Sequence, residues 1–168
     1  MKKKKLAILG CGKLGEIVVN ASVNGLLDEY ELVGVFSRTI ESAEKLADKV
    51  NKAKNNYDCL VFESLDEMIY HKPDIIVETA SIQAMKNMTI PALSNGISII
   101  TISIGVFADE DFYKEAIETA SENNAKIYLA SGAIGGLDVL QTVNLMGGNT
   151  SVKFRTEKGP NSLKNTPV

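Results

Sequence analysis

Tryptophan is absent from this chain of 168 residues, histidine occurs once and cysteine twice. Cys11 and Cys59 are too few for a disulfide framework, and nothing at the amino terminus resembles a signal peptide, so a reducing cytoplasm is expected. The chain also lacks a basic face interleaved with aromatics. With a formal charge of -3, that argues against nucleic acid as a partner. Lys2–Lys5 is the only basic run and reads as a solvated lead-in to a first strand. No apolar stretch is long enough to cross a bilayer as a helix. The longest, Ile97–Ala108, contains Ser98, Thr101 and Ser103, so no membrane partner is expected. At 45% apolar residues, the chain suits a soluble globular domain, with room for the beginning of a second.

What is present starts at Lys4–Gly15. The apolar run Leu6-Ala7-Ile8-Leu9 has the length of a buried parallel strand. It breaks into Gly10-Cys11-Gly12-Lys13-Leu14-Gly15, and Ile17, Val18, Val19 and Ala21 then suit a helix packed on that strand. Gly10 permits a tight strand-to-helix turn, Gly12 lets a pyrophosphate approach the backbone, and Gly15 lets helix and strand pack closely. The phosphates would meet the positive end of the helix dipole. The glycine spacing alone is weak, since glycines also mark ordinary turns. Its weight comes from the strand, helix and second strand around it.

The second strand, Glu31–Phe36, closes a βαβ unit. A dinucleotide-binding fold usually has an Asp or Glu at its end to hold the adenosine ribose, and here the chain reads Ser37-Arg38-Thr39. A hydroxyl beside a guanidinium suits a 2′-phosphate, which predicts NADP at least as readily as NAD. The alternative is that Arg38 is a surface residue and Ser37 a helix cap.

The spacing then predicts an amphipathic helix over Ile40–Lys52 with Ala43, Leu46, Ala47 and Val50 on one face. A third strand follows at Cys59–Phe62 and a short helix capped by Ser64. The fourth strand is Asp74–Glu78. His71 lies in the connection entering the amino end of that strand, opposite the ligand edge, and reads as structural. Thr79–Ala84 leads into a helix through Leu93, in which Pro91 requires a kink or a boundary. Ala80 and Ser81 are candidate contacts for the nicotinamide half of the cofactor, with Ser81 equally suited to capping. A fifth strand is expected over Ser98–Ile104 and a sixth over Ala125–Leu129. Asp109-Glu110-Asp111 reads as an acidic first helical turn rather than a metal or acid–base cluster. The rhythm is that of an α/β, Rossmann-type doubly wound parallel sheet.

Three strings together resemble the L-aspartate dehydrogenases: Thr79-Ala80-Ser81-Ile82-Gln83-Ala84, Ser103-Ile104-Gly105-Val106-Phe107-Ala108-Asp109-Glu110, and Ser131-Gly132-Ala133-Ile134-Gly135-Gly136-Leu137-Asp138. The last is far more specific than the glycine loop. The resemblance covers essentially the whole chain. It implies an NAD(P)-dependent oxidation of L-aspartate to iminosuccinate, a precursor for NAD biosynthesis. It also implies pyrophosphate contacts at Gly10, Gly12, Lys13 and Leu14, an adenosine-side contact at Ser37, and nicotinamide-side contacts at Ala80, Ser81 and Ala133.

Members of that family that prefer NAD carry an acidic residue where this chain has Ser37. The family continues into a second, α+β domain bearing a catalytic histidine, with which His71 does not align. A dinucleotide-binding domain over residues 1–147 is therefore expected, followed over 148–168 by the start of a truncated second domain with Ser151–Arg155 as its first strand. No catalytic residue is assigned within this chain. The tail from Thr156 to Val168 is expected to be mobile or packed on another copy, which allows a homodimer. The alternatives are a dinucleotide-binding fragment without turnover and an oxidoreductase of the related homoserine dehydrogenase type.

Overall fold

Because parallel strands are joined by crossing helices, both faces of their sheet are covered and a central strand must be apolar on both sides. β1 (Lys4–Leu9) obeys this. Leu6 and Ile8 point into one core with Val19, Leu32, Val35, Leu46 and Val50. Ala7 and Leu9 point into the other with Phe62, Met85, Met88, Leu93 and Ile99. Each large side chain so buried contributes about 1.5–3 kcal/mol relative to exposure.

The computed structural model describes residues 2–53 and 58–130, with positions 140, 142, 143, 145, 147, 151, 153 and 155 beyond them. The chain divides into two compact units, Met1–Gly132 and Ala133–Val168. The sheet lies in the first unit. After β1 come β2 (Tyr30–Phe36), β3 (Leu60–Val61), β4 (Ile75–Glu78), β5 (Ser98–Thr101) and β6 (Ile127–Leu129). Among the described residues they form one sheet in the order β3-β2-β1-β4-β5-β6, and every neighbouring pair is parallel. This is the doubly wound sheet expected from the sequence. Its order reverses between β1 and β4, which places a crevice at their carboxyl ends.

The helices are α1 (Lys13–Val23), α2 (Ile40–Ala53), α3 (Leu65–Tyr70), α4 (Ile82–Ser94) and α5 (Glu110–Glu122). The expected face of α2, made of Ala43, Leu46, Ala47 and Val50, is the buried one. Ser64 caps α3 by accepting from Glu67 N at 3.1 Å.

Element boundaries differ from the sequence reading in places. β5 ends at Thr101 rather than Ile104, and Ile104–Ala108 forms a 3₁₀ helix. The Thr101 hydroxyl accepts from Ser103 N at 2.9 Å, so the side chain turns the backbone out of the ladder. β3 is trimmed at both ends. Its flank at Cys59 bonds to the Asn51 side-chain amide, at 2.7 Å from Cys59 N and 3.1 Å from Cys59 O. The helix expected through Leu93 is present as α4, which holds Pro91 inside it and runs on to Ser94, so the proline is not a boundary. Beyond the first unit, Ser151, Lys153 and Arg155 of the expected strand lie in no regular element, and residues 152 and 154 are outside the described residues.

Candidate functional site

The carboxyl ends of β1, β2 and β4 open onto a cleft of about 670 Å³ whose lining includes Gly10, Gly12, Ser37, Arg38, Ala80 and Ser81. Residues placed there by the sequence reading, far apart along the chain, thus come together. Lys13, Leu14 and Gly15 follow at the start of α1, with Lys13 and Leu14 exposed and Gly15 buried. Ala133, and the rest of the Ser131–Asp138 string, lie outside the described residues.

The glycine loop is built by close approach. Gly10 has φ 103°, and a Cβ there would lie 2.8 Å from Ala80 N. Only glycine adopts that backbone and leaves room for the β4 turn. A Cβ on Gly15 would collide with the carbonyl oxygen of Gly10. Gly12 differs: a Cβ there would meet nothing within 4 Å, so the space over it is free for a ligand. Gly12 is also the N-cap of α1 and supplies no side-chain cap. The first-turn N–H groups, which have no intrahelical acceptor, are left to an anion. The acidic residue of that turn, Glu16, is drawn away by Lys49 at 3.0 Å. The hydrogen bond and charge of Lys49 hold its carboxyl below the usual range.

β4 and the turn after it supply two side chains that sequence reasoning did not single out. The Thr79 hydroxyl donates to Gly10 O at 2.8 Å, and Thr79 N to Leu9 O at 2.8 Å. Glu78 is fully buried. Its Oε1 accepts from Ala80 N at 2.7 Å, Ser81 N at 3.0 Å and the Ser103 hydroxyl at 3.1 Å. Its Oε2 accepts from the Thr101 hydroxyl at 2.6 Å. One carboxylate thereby joins the turn after β4 to the turn after β5. Burying a charge requires such partners. The available signal was a Glu closing the run Asp74-Ile75-Ile76-Val77-Glu78, in a strand covered on both faces.

At the β2 end, Ser37 Oγ accepts from Thr39 N at 3.4 Å rather than capping α2 from the position before Ile40. Arg38 is exposed and forms no ion pair among the described residues. Glu63 and Asp66 line the same cleft. Ser81 lines the cleft and caps α4, its Oγ accepting from Ala84 N at 3.2 Å.

Cys11 is buried beside the loop, its thiol directed at Phe36 O at 3.7 Å. Burial pushes its pKa up to about 11. Asp109 caps α5 by accepting from Phe112 N at 3.2 Å and pairs with Lys86 at 3.0 Å. The Phe112 N–H, followed by Lys86, lowers its pKa. The acidic turn is thus a helix start. His71 ends α3, and its ring lies 5.1 Å from that of Phe62.

Comparison with known proteins agrees with this geometry. Residues 10–130 match the family described as homoserine dehydrogenase, NAD binding domain. The chain is 32% identical over 161 residues to an L-aspartate dehydrogenase of Methanococcus maripaludis, covering 96% of this chain and 57% of that protein. It is 34% identical over 163 residues to an L-aspartate dehydrogenase of Methanococcoides burtonii, covering 97% and 57%. The chain therefore spans little more than half the length of these curated relatives. The crystal structure of aspartate dehydrogenase from Thermotoga maritima superposes with a TM-score of 0.58 at 25% identity, over 84% of this chain and 52% of that one. The residues present fit NAD or NADP: an open glycine, an uncapped helix start and a cleft running from the β2 end to the β4 turn. With the match spanning most of the sheet, the chain belongs to the family of homoserine-dehydrogenase-type NAD-binding domains, and it resembles the L-aspartate dehydrogenases over nearly its whole length.

Proposed function

We propose that this chain is the cofactor-binding part of an NAD(P)-dependent L-aspartate dehydrogenase that forms iminosuccinate for NAD biosynthesis in the cytoplasm. The observation that carries the reading is the shared cleft, in which the open start of α1, the β2 end and the β4 turn meet. The pyrophosphate lies against Gly10, Gly12, Lys13, Leu14 and Gly15, where N–H groups and dipole favour it. The adenosine side lies at Ser37 and Arg38. Arg38, exposed and without an ion pair among the described residues, suits a 2′-phosphate, so NADP binds at least as readily as NAD. The nicotinamide side lies at Ala80 and Ser81 and, by resemblance, at Ala133. When bound, the cofactor supplies the hydride acceptor. The chain's own residues bind and orient it.

Residues 148–168 begin a second domain that completes the active site in the longer protein. Fluorescence titration with both cofactors, followed by absorbance with L-aspartate, tests the reading. Binding with little or no turnover is the expected result. Robust turnover would remove the need for a second domain, and a clear preference for NAD would remove the 2′-phosphate site. The family match favours homoserine as the alternative substrate. The longer protein assayed with homoserine in place of aspartate separates the two.

A further inference from the structure

Two helices begin at the carboxyl edge of the neighbouring strands β1 and β4, on opposite faces of the sheet, and they treat charge in opposite ways. α1 starts uncapped at Gly12. α4 is closed: Ser81 Oγ takes the Ala84 N–H, and Glu78 Oε1 takes the N–H groups of Ala80 and Ser81. A phosphate therefore has donors at α1, whereas ahead of α4 the N–H groups of Ala80 and Ser81 are spent on a carboxylate already in place and that of Ala84 on a hydroxyl. Glu78 is fully buried, and its partners among the described residues are two backbone N–H groups and the hydroxyls of Thr101 and Ser103. None of these is a cation. The hydrogen bonds hold the charge in position without cancelling it, and burial leaves it weakly screened.

We propose that Glu78 is a positioning residue whose fixed negative charge beneath the Ala80–Ser81 turn makes this chain hold oxidised cofactor more tightly than reduced cofactor. The inference rests on the dinucleotide reading of the cleft. The oxidised nicotinamide ring carries a positive charge that the reduced ring lacks, while the phosphates are the same in both. A fixed charge at the nicotinamide end acts on that difference alone. Its second effect is geometric, since it holds the β4 and β5 turns in one register through Thr101 and Ser103.

The test is equilibrium titration of the 168-residue chain with oxidised and reduced NADP, and with the NAD pair. The readout is the ratio of the two dissociation constants, which a merely structural role leaves unchanged. Glu78→Gln is expected to reduce the preference for the oxidised form about fivefold, which corresponds to ~1 kcal/mol of charge interaction. Thr101→Val breaks a bond to Glu78 and keeps the charge, so the ratio is expected to stay at the wild-type value even where both affinities fall. Should Glu78→Gln fail to fold, the pair Glu78→Leu with Thr101→Val removes the carboxylate together with a donor that it would strand. Compared with Thr101→Val alone, it carries the same charge change. Equal ratios with and without the carboxylate would overturn the proposal while leaving the dinucleotide reading intact. A wild-type chain that binds neither form would overturn both.

Discussion

The hydroxyl of Thr79 donates to the carbonyl oxygen of Gly10 at 2.8 Å, linking the ends of two adjacent strands whose residues lie 69 positions apart in sequence. The glycine loop is therefore held from outside itself. Replacing Thr79 by Val keeps the branched shape and leaves that oxygen without its partner. The expected loss is about 1 kcal/mol of stability and a comparable, about fivefold, loss of cofactor affinity. Urea denaturation and calorimetric titration measure the two. Unchanged affinity would show that the loop keeps its shape unaided.

Gly12 and Gly15 separate binding from folding. Gly12→Ala adds a methyl group into open space, so the midpoint of unfolding is expected to stay near wild type. The same methyl group enters the proposed pyrophosphate site and is expected to weaken binding by about tenfold, or ~1.4 kcal/mol. Gly15→Ala drives a Cβ into the Gly10 carbonyl and destabilises the fold by about 1–3 kcal/mol. Thermal unfolding with and without cofactor distinguishes the two.

Cofactor choice is expected to turn on the β2 end. Ser37→Asp brings a carboxylate to the proposed ribose side and is expected to lower NADP affinity about tenfold relative to NAD, the scale of one charge-assisted hydrogen bond. Parallel fluorescence titrations give the ratio. An unchanged ratio would place the 2′-phosphate elsewhere.

The Cys11 thiol, pushed up to about 11 by burial, is expected to be nearly inert to alkylation at neutral pH. The fold favours the protonated form. That contribution is complete below the thiol's ordinary range and is lost as the pH rises toward about 11. Alkylation rates in native buffer, followed by intact mass against pH, test this. Rapid labelling at neutral pH would contradict it.

Much of the scaffold was legible because periodicity records burial. α2 shows its inner face at helical spacing, and the apolar runs of β1 and β4 mark strands covered on both sides. Gly10 and Gly15 were legible because spacing reports backbone demands. What escaped lies in side chains whose partners are remote in sequence. Thr79 and Glu78 read as the ordinary end of a strand, yet their partners are Gly10, Thr101 and Ser103. β5 was overextended because Ile102 and Ile104 continue an apolar run, while the Thr101 hydroxyl that ends the ladder has no pattern.

The register Leu9 against Glu78 also bears on how the protein is made. β1 and β2 can pair as soon as both have left the ribosome, but the other edge of β1 waits for β4. Through that interval an apolar strand destined for the sheet's centre presents unpaired N–H and C=O groups, the chemistry of edge-to-edge association. That exposure ends when Ile75–Glu78 pairs with Leu6–Leu9, and the Thr79 contact that shapes the cleft sits at the end of the same pairing.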